Sequence, residues 1–213
     1  MLQQTGRDDP SLCLVPTADE TDLHFVDAAE KAFEGSKVAV SHLRLFPMPN
    51  VTDPEDLLMS SDAIFVGGGS TANMLAVWRV HGLDRVLRRA WESGVVLGGS
   101  SAGAMCWFEG GLTDSFGPQL SPLADGLSLL AGSYCPHYNR ELRRPRFQEA
   151  VTHGSLPPGI ACADGVTAHF VDDDLGEVLA EAKADDVQAW RVGLDAQGQV
   201  SEAPLDCRPV GPQ

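Results

Sequence analysis

The sequence predicts an α/β fold: a mostly parallel sheet with helices on both faces, in a single domain over residues 1–213, with antiparallel strands toward the C-terminus. Three observations predict it. Short apolar runs alternate with segments of helical periodicity up to about residue 154. A chain of 213 residues that is 43% hydrophobic can bury one sizeable core. After residue 158 the pattern changes to short alternating segments separated by Asp-Gly and Gln-Gly turns, the signature of an antiparallel edge.

Taken in order, SLCLVP (11–16) reads as a strand, and DLHFVDAAEKAF (22–33) sets Leu23, Val26, Ala29 and Phe33 along one helical stripe. KVAVSHLRLF (37–46) is a second strand, PEDLLMS (54–60) a short helix, and AIFVGGG (63–69) a third strand running into a glycine loop. GLDRVLRRAWESG (82–94) has a helix pattern with a terminal Gly stop, and VVLGG (95–99) is a continuous apolar strand of the kind buried on both faces. SLLAGSYCP (128–136) is a strand, and RELRRPRFQEAVTHG (140–154) a helix whose first turns Pro145 interrupts. Segments 159–174 and 176–200 supply the antiparallel strands, and the last few residues are expected to be untethered.

Thirty acidic residues against fifteen basic ones give a formal charge of −15, which repels nucleic-acid phosphates and anionic membrane surfaces. MLQQTGRDDP carries neither the basic nor the apolar part of a secretory signal, and no run approaches the ~20 apolar residues of a membrane span, so a cytoplasmic protein is expected. The five cysteines (Cys13, Cys106, Cys135, Cys162, Cys207) are odd in number, spread out and without a CxxC pair. They read as reduced, mostly buried thiols, with no disulfide framework, metal site or cofactor expected.

Chemistry concentrates in VVLGGSSAGAMCW (95–107), where two serines sit between glycines as a strand hands over to a helix. Such a turn can bend sharply and hold a Ser outward, with backbone N–H groups nearby to stabilise a developing oxyanion. The loop Gly67-Gly68-Gly69 falls at another strand end and can supply a second donor. A hydroxyl nucleophile needs a base held by a carboxylate. His137, just after a strand in CPHYNR, is the best base; His153 and His169 rank lower, and His24 and His42 read as ordinary partly buried side chains. Asp164 follows GIACA at a strand end and is the leading third member, with Asp114 and Asp172 as rivals.

Plainer explanations stand beside these. GxSxG occurs by chance in Gly-rich chains, and GGGST is equally a plain turn or an anion nest, lacking the Lys of a Walker loop and the GxGxxG of a dinucleotide site. Asp164-Gly165 also fits a two-residue hairpin turn, and Arg140, Arg143, Arg144 and Arg146 a solvated helix face.

LVPTA (14–18), FVGGGST (65–71), GGSSAGAMCWFEGGLTDSFG (98–117), PHY (136–138) and ADG (163–165) together resemble the peptidase E family of serine peptidases, related in fold to class I glutamine amidotransferases. The resemblance covers nearly the whole chain. It implies a catalytic Ser101, a base His137 and an acidic third member at Asp164, with an oxyanion hole from the Gly68-Gly69 turn and the Ala102 N–H. Only Ser101 is central between Gly99 and Gly103; Ser100 is its neighbour. Amidotransferases of similar fold use Cys there, so Ser argues against ammonia transfer from glutamine. DSFG looks like a branch of the family in which Asp114 and Ser115 line the substrate pocket, while Arg144 or Arg146 would face a substrate carboxylate. The family usually opens with a strand and glycine-rich loop, whereas this chain reaches LCLVPTA by residue 12, so an N-terminal strand is expected to be missing.

The resulting expectation is a metal-independent serine hydrolase acting on short peptides, dipeptides foremost, through an acyl-enzyme, with a homodimer as the assembly to look for. A cyanophycinase-like hydrolase and a catalytically silent binding homologue are the alternatives.

Overall fold

Four strands, β1 (Ser11–Val15), β2 (Ala39–His42), β3 (Ala63–Val66) and β4 (Val96–Gly99), lie in the order β2-β1-β3-β4 with every neighbouring pair parallel. The computed structural model describes residues 1–19, 24–181 and 187–210, in two compact units, Met1–Ala104 and Met105–Gln213. The predicted α/β class, with its parallel sheet and helices, is present.

In the first unit, α1 (His24–Ala32) buries Val26 and lays Phe25 and Ala29, with Phe33 just beyond, against Leu12, Leu14 and Ala63 of the sheet. Leu23, predicted for the same stripe, lies outside the described residues. β2 stops at His42, short of the predicted 37–46, because Asn50 takes over the backbone: its Nδ2 donates to His42 O at 3.0 Å and its Oδ1 accepts the Arg44 N–H at 2.8 Å. α2 (Pro54–Met59) starts as the sequence predicts, with the Asp53 carboxylate accepting the Asp56 N–H at 3.0 Å and Pro54 in its first turn.

Helix α3 (Thr71–His81) has no counterpart in the sequence reading. Ser70 caps it, accepting the Asn73 N–H at 3.3 Å, and Thr71, Met74, Leu75 and Trp78 form its buried face. The amphipathic contrast is blurred because Val80 is 84% exposed on the opposite face. Gly82 ends the helix in a left-handed conformation, φ 73°, and α4 (Leu83–Glu92) follows at once. β4 departs from expectation differently. It ends the row of strands and is half-buried throughout, where the apolar run predicted burial on both faces, because its last two residues are glycines that cover nothing.

The second unit holds β5 (Phe108–Thr113), β6 (Ser121–Leu123), β7 (Leu130–Cys135), β8 (Gly159–Cys162), β9 (Val166–Val171), β10 (Asp174–Ala180), β11 (Ala189–Leu194), β12 (Val200–Pro204) and β13 (Cys207–Pro209). One sheet has the order β12-β11-β8-β7-β5-β6 and the other β13-β10-β9. The pairs β5–β7 and β7–β8 are parallel; β8–β11, β11–β12 and β9–β10 are antiparallel, as the C-terminal turn pattern predicts. Asp164-Gly165 is a tight turn, with the Val166 N–H on Ala163 O at 3.3 Å, but it joins β8 to β9 in different sheets and so makes no hairpin. Hairpin turns in this part of the chain include Asp172-Asp173, between β9 and β10, and Asp195–Gln199, between β11 and β12.

α6 (Arg143–Thr152) is not broken by Pro145, which sits third in the helix, where its missing N–H has no intrahelical acceptor to lose. Nor is its arginine run merely solvated. Arg143 is 7% exposed and donates to Leu112 O and Asp114 Oδ2, both at 3.1 Å. All five cysteines are free, four of them buried. Burial pushes the Cys13 and Cys162 thiols up to about 11 and Cys135 up to about 12, which keeps them protonated and unreactive.

Trp78 is fully buried and donates its indole N–H to Thr17 Oγ1 at 3.2 Å, whereas Val80, two residues on, faces out. Trp78→Ala is expected to lower unfolding stability by about 3–5 kcal/mol and Val80→Ala by less than about 0.5 kcal/mol, measured by urea denaturation.

Candidate active site

Strand β4 ends at Gly99 and α5 (Ala102–Met105), a single turn, begins at Ala102. Ser101 lies between them with φ 51°, a left-handed conformation that a side chain adopts only when its surroundings impose it. The surroundings are visible. The Ser100 N–H is held by Val66 O at 3.1 Å, Gly103 N–H by Ser100 O at 2.9 Å, and Ala104 N–H by Ser101 O at 3.1 Å. A Cβ at Gly99 would land on the carbonyl of Gly103, and one at Gly103 on the carbonyl of Val66. Both flanking positions must therefore be glycine, and Ser101 is the residue the bend pushes outward.

The loop after β3 lies against it. Gly67 donates to Val15 O at 3.1 Å and Ser70 to Ala18 O at 2.9 Å, while among the described residues the N–H groups of Gly68 and Gly69 between them donate to no backbone carbonyl. The position of a Gly68 Cβ is 3.3 Å from the Cβ of Ser101, so this backbone runs directly beside the serine. The N–H of Ala102, first in α5, has no intrahelical acceptor. Among the described residues the first unit thus collects, in one corner, the Ser101 hydroxyl and the backbone N–H groups of Gly68, Gly69 and Ala102, which donate to no backbone carbonyl, the inventory an oxyanion hole needs.

The second unit carries the imidazole. β7 and β8 are parallel neighbours, Cys135 opposite Ala161, so the residues just past their carboxyl ends emerge side by side. His137 follows β7 and Asp164 follows β8, and the Nδ1 of His137 is hydrogen-bonded to Oδ1 of Asp164. Arg140 donates its Nε to the other carboxylate oxygen at 3.2 Å, and Asn139 Oδ1 accepts the Asp164 N–H at 3.0 Å. The Asp164 carboxyl lies below its usual value: partial burial pushes it up, but the hydrogen bond and charge of His137, then those of Arg140, outweigh that. A carboxylate fixed on Nδ1 sets the tautomer and orientation of the ring.

Asp114 is paired with Arg143, and Asp172 occupies the turn after β9 at φ 55°; the carboxylate on His137 is that of Asp164. Ser115 shares a hydrogen bond with Thr113 at 2.7 Å. Arg144 is bonded to Glu202 through both Nε and Nη2, and Arg146 to Glu149 at 2.7 Å. His169 faces Glu177 at 3.3 Å, His42 faces Glu30 at 3.4 Å, and His24 and His153 are exposed. Ser101 belongs to the first unit, His137 and Asp164 to the second. Sequence reading passed over Asn139 and assigned Arg140 to a helix face; their signal was position alone, directly after PHY. Among the described residues no helix is long and apolar enough to cross a membrane.

The model of peptidase family S51 matches residues 1–178, and the chain belongs to that family. It is 39% identical over 212 residues to the uncharacterized peptidase YgaJ of Bacillus subtilis (strain 168), covering 99% of this chain and 90% of that one. A peptidase E of Shewanella denitrificans is 30% identical over 132 residues, 58% of this chain and 56% of that one. The crystal structure of a peptidase from an acI-B1 Actinobacterium shares the fold at a TM-score of 0.68, with 15% identity, over 97% of this chain and 85% of that one.

Because the Asp164 carboxyl is lowered in the folded state, the stability it contributes is present above the ordinary carboxylate range and lost as pH falls through its lowered value. Thermal unfolding followed from pH 7 to below about 4 is expected to show a steeper acid decline in the wild type than in Asp164→Asn, whose amide does not titrate there.

Proposed function

We propose that this member of peptidase family S51 is a serine peptidase that hydrolyses short peptides, dipeptides foremost, through an acyl-enzyme. The observation that carries the reading is the left-handed backbone of Ser101, held between two positions that admit only glycine. Crowding of the two glycine turns imposes this strain, and its placement on a residue with a hydroxyl, beside N–H groups outside the backbone ladder, fits nucleophilic catalysis.

In this reading the Ser101 Oγ attacks the scissile carbonyl carbon while His137 removes its proton. The carbonyl oxygen becomes an oxyanion that the N–H groups of Gly68, Gly69 and Ala102 stabilise. His137 then passes the proton to the leaving amine, the C–N bond breaks, and an ester on Ser101 remains. Water, deprotonated by the same imidazole, hydrolyses that ester and restores the hydroxyl. Asp164 keeps the ring oriented and stabilises its cationic form. Five free thiols fit a reducing compartment, so the enzyme is read as cytoplasmic.

Asp114 and Ser115 line the substrate side of this proposed site. Arg144 and Arg146 each already face a carboxylate of the chain itself, Glu202 and Glu149, so an acidic substrate residue would have to displace it. Neutral dipeptides are therefore expected to be turned over at least as fast as Asp-X dipeptides.

The test is dipeptide turnover together with labelling by a fluorophosphonate. Ser101→Ala and His137→Ala are expected to lower kcat by about 10³-fold or more, with wild-type labelling abolished in the first. Near-wild-type turnover by Ser101→Ala would remove the proposal.

A further inference from the structure

The match to the family model ends at residue 178, yet a side chain from beyond it reaches the segment that carries His137. Tyr138, the next residue, is fixed along its whole length. Its N–H donates to Cys162 O at the end of β8, at 2.9 Å. Its ring, in a residue only 2% exposed, stands edge-on to Phe147 at 6.2 Å and tilted against Trp190 at 5.2 Å. Its hydroxyl donates to Oε1 of Glu202, on β12.

Glu202 is itself held. Its Oε2 accepts from Nε of Arg144 at 3.1 Å and also from Nη2. The Arg144 guanidinium carbon lies 5.8 Å from the ring centre of Tyr138 and 5.6 Å from that of Trp190. With both carboxylate oxygens on donors and its side chain 13% exposed, Glu202 is a charge-assisted strut between the C-terminal hairpin and the phenol.

Such a strut has a use at this place. His137 has φ 57°, a left-handed conformation that few residues with a side chain adopt and that holds where neighbouring structure fixes it. Tyr138 is one peptide bond away, and fixing it at backbone, ring and hydroxyl stops that peptide from turning.

We propose that Glu202 and Tyr138 are positioning residues for the base: Glu202, locked by Arg144, holds the Tyr138 hydroxyl, and this keeps the His137 imidazole seated on Asp164. The inference rests on His137 being the base of the proposed peptidase. Neither residue touches the substrate; both act through His137.

The experiment uses the full chain and two readouts, dipeptide kinetics and the rate of fluorophosphonate labelling, both expressed per folded molecule from near-ultraviolet circular dichroism. Tyr138→Phe deletes one hydroxyl and keeps the ring. Glu202→Ala removes the acceptor, and Glu202→Gln keeps an acceptor oxygen. Tyr138→Phe and Glu202→Ala are expected to lower kcat and the labelling rate about tenfold with KM within about twofold, and Glu202→Gln to recover to within about threefold of wild type. Wild-type rates per folded molecule in Tyr138→Phe, or Glu202→Gln as slow as Glu202→Ala, would overturn the inference. So would a fall in total activity that the loss of folded protein accounts for entirely. The two failures separate cleanly: a wild type labelled only at Ser101, with Tyr138→Phe at full rate, removes this inference alone. A chain labelled equally with and without Ser101 removes the peptidase reading and this inference with it.

Discussion

The contact between Gly103 and the strand end at Val66 governs the chemistry of the first unit. Because the backbone of residue 103 presses on the Val66 carbonyl, and residue 99 on residue 103, the chain between them has no room to pass through the bend as a regular helix start. Ser101 absorbs the geometry in a left-handed φ, and its side chain is turned away from the crowded interior of the turn. A substituent at either flanking glycine would press on backbone carbonyl oxygens, of Gly103 in α5 or of Val66 in β3, which cannot rotate aside as a flexible side chain can. The same crowding leaves Gly68 lying against Ser101 with its N–H outside any backbone ladder. Strain and the orphan donors thus have one cause, the close approach of two glycine turns after adjacent parallel strands, β3 and β4.

The second unit reaches a comparable result by a different route. There the governing fact is that β7 and β8 are parallel and adjacent, so two loops separated by 27 residues in the chain leave the sheet at neighbouring points. A histidine after one and an aspartate after the other meet without a long excursion of either side chain. Arg140 then takes the second oxygen of Asp164, which keeps the carboxylate ionised, and Asn139 fixes its backbone. Residues immediately past strand ends are where parallel sheets place their chemistry, since backbone groups there are free of the ladder and side chains from several strands converge.

That rule explains what was legible in the sequence. Ser101, His137 and Asp164 were all picked out by following strand ends, a signal of apolar runs and glycine that survives in one sequence. α3 was not legible, because Val80 on its outer face and the preceding glycines dilute the helical period, although Ser70 and the spacing of Met74, Leu75 and Trp78 carry it. β5 and β6 were missed because FEGGLT has two glycines where a strand pattern needs side chains, and SPL is too short to show alternation. Asp164-Gly165 misled in the other direction: local turn chemistry was read correctly, but which sheet each flanking strand joins depends on partners far along the chain. The arginines of α6 show the same limit, since a buried Arg143 and an exposed Arg146 look alike until Leu112 and Asp114 are placed.

Glu202 stands furthest from what one sequence can disclose. Nothing in VSEAP separates its carboxylate from those of a solvated edge strand, and it acquires meaning only because β12 pairs with β11 and β11 with β8, which sets the hairpin beside the segment after β7. The antiparallel pair then does more than close a sheet. Trp190 on β11 and Glu202 on β12 wall in Tyr138 from one side while Phe147 of α6 does so from another, and Arg144 from the same helix closes the charge. A phenol enclosed this way loses its hydrogen bond to Glu202 at a cost, because the ring is buried and the acceptor is a carboxylate. Tyr138 is thus held at backbone, ring and hydroxyl, and one peptide bond joins it to His137.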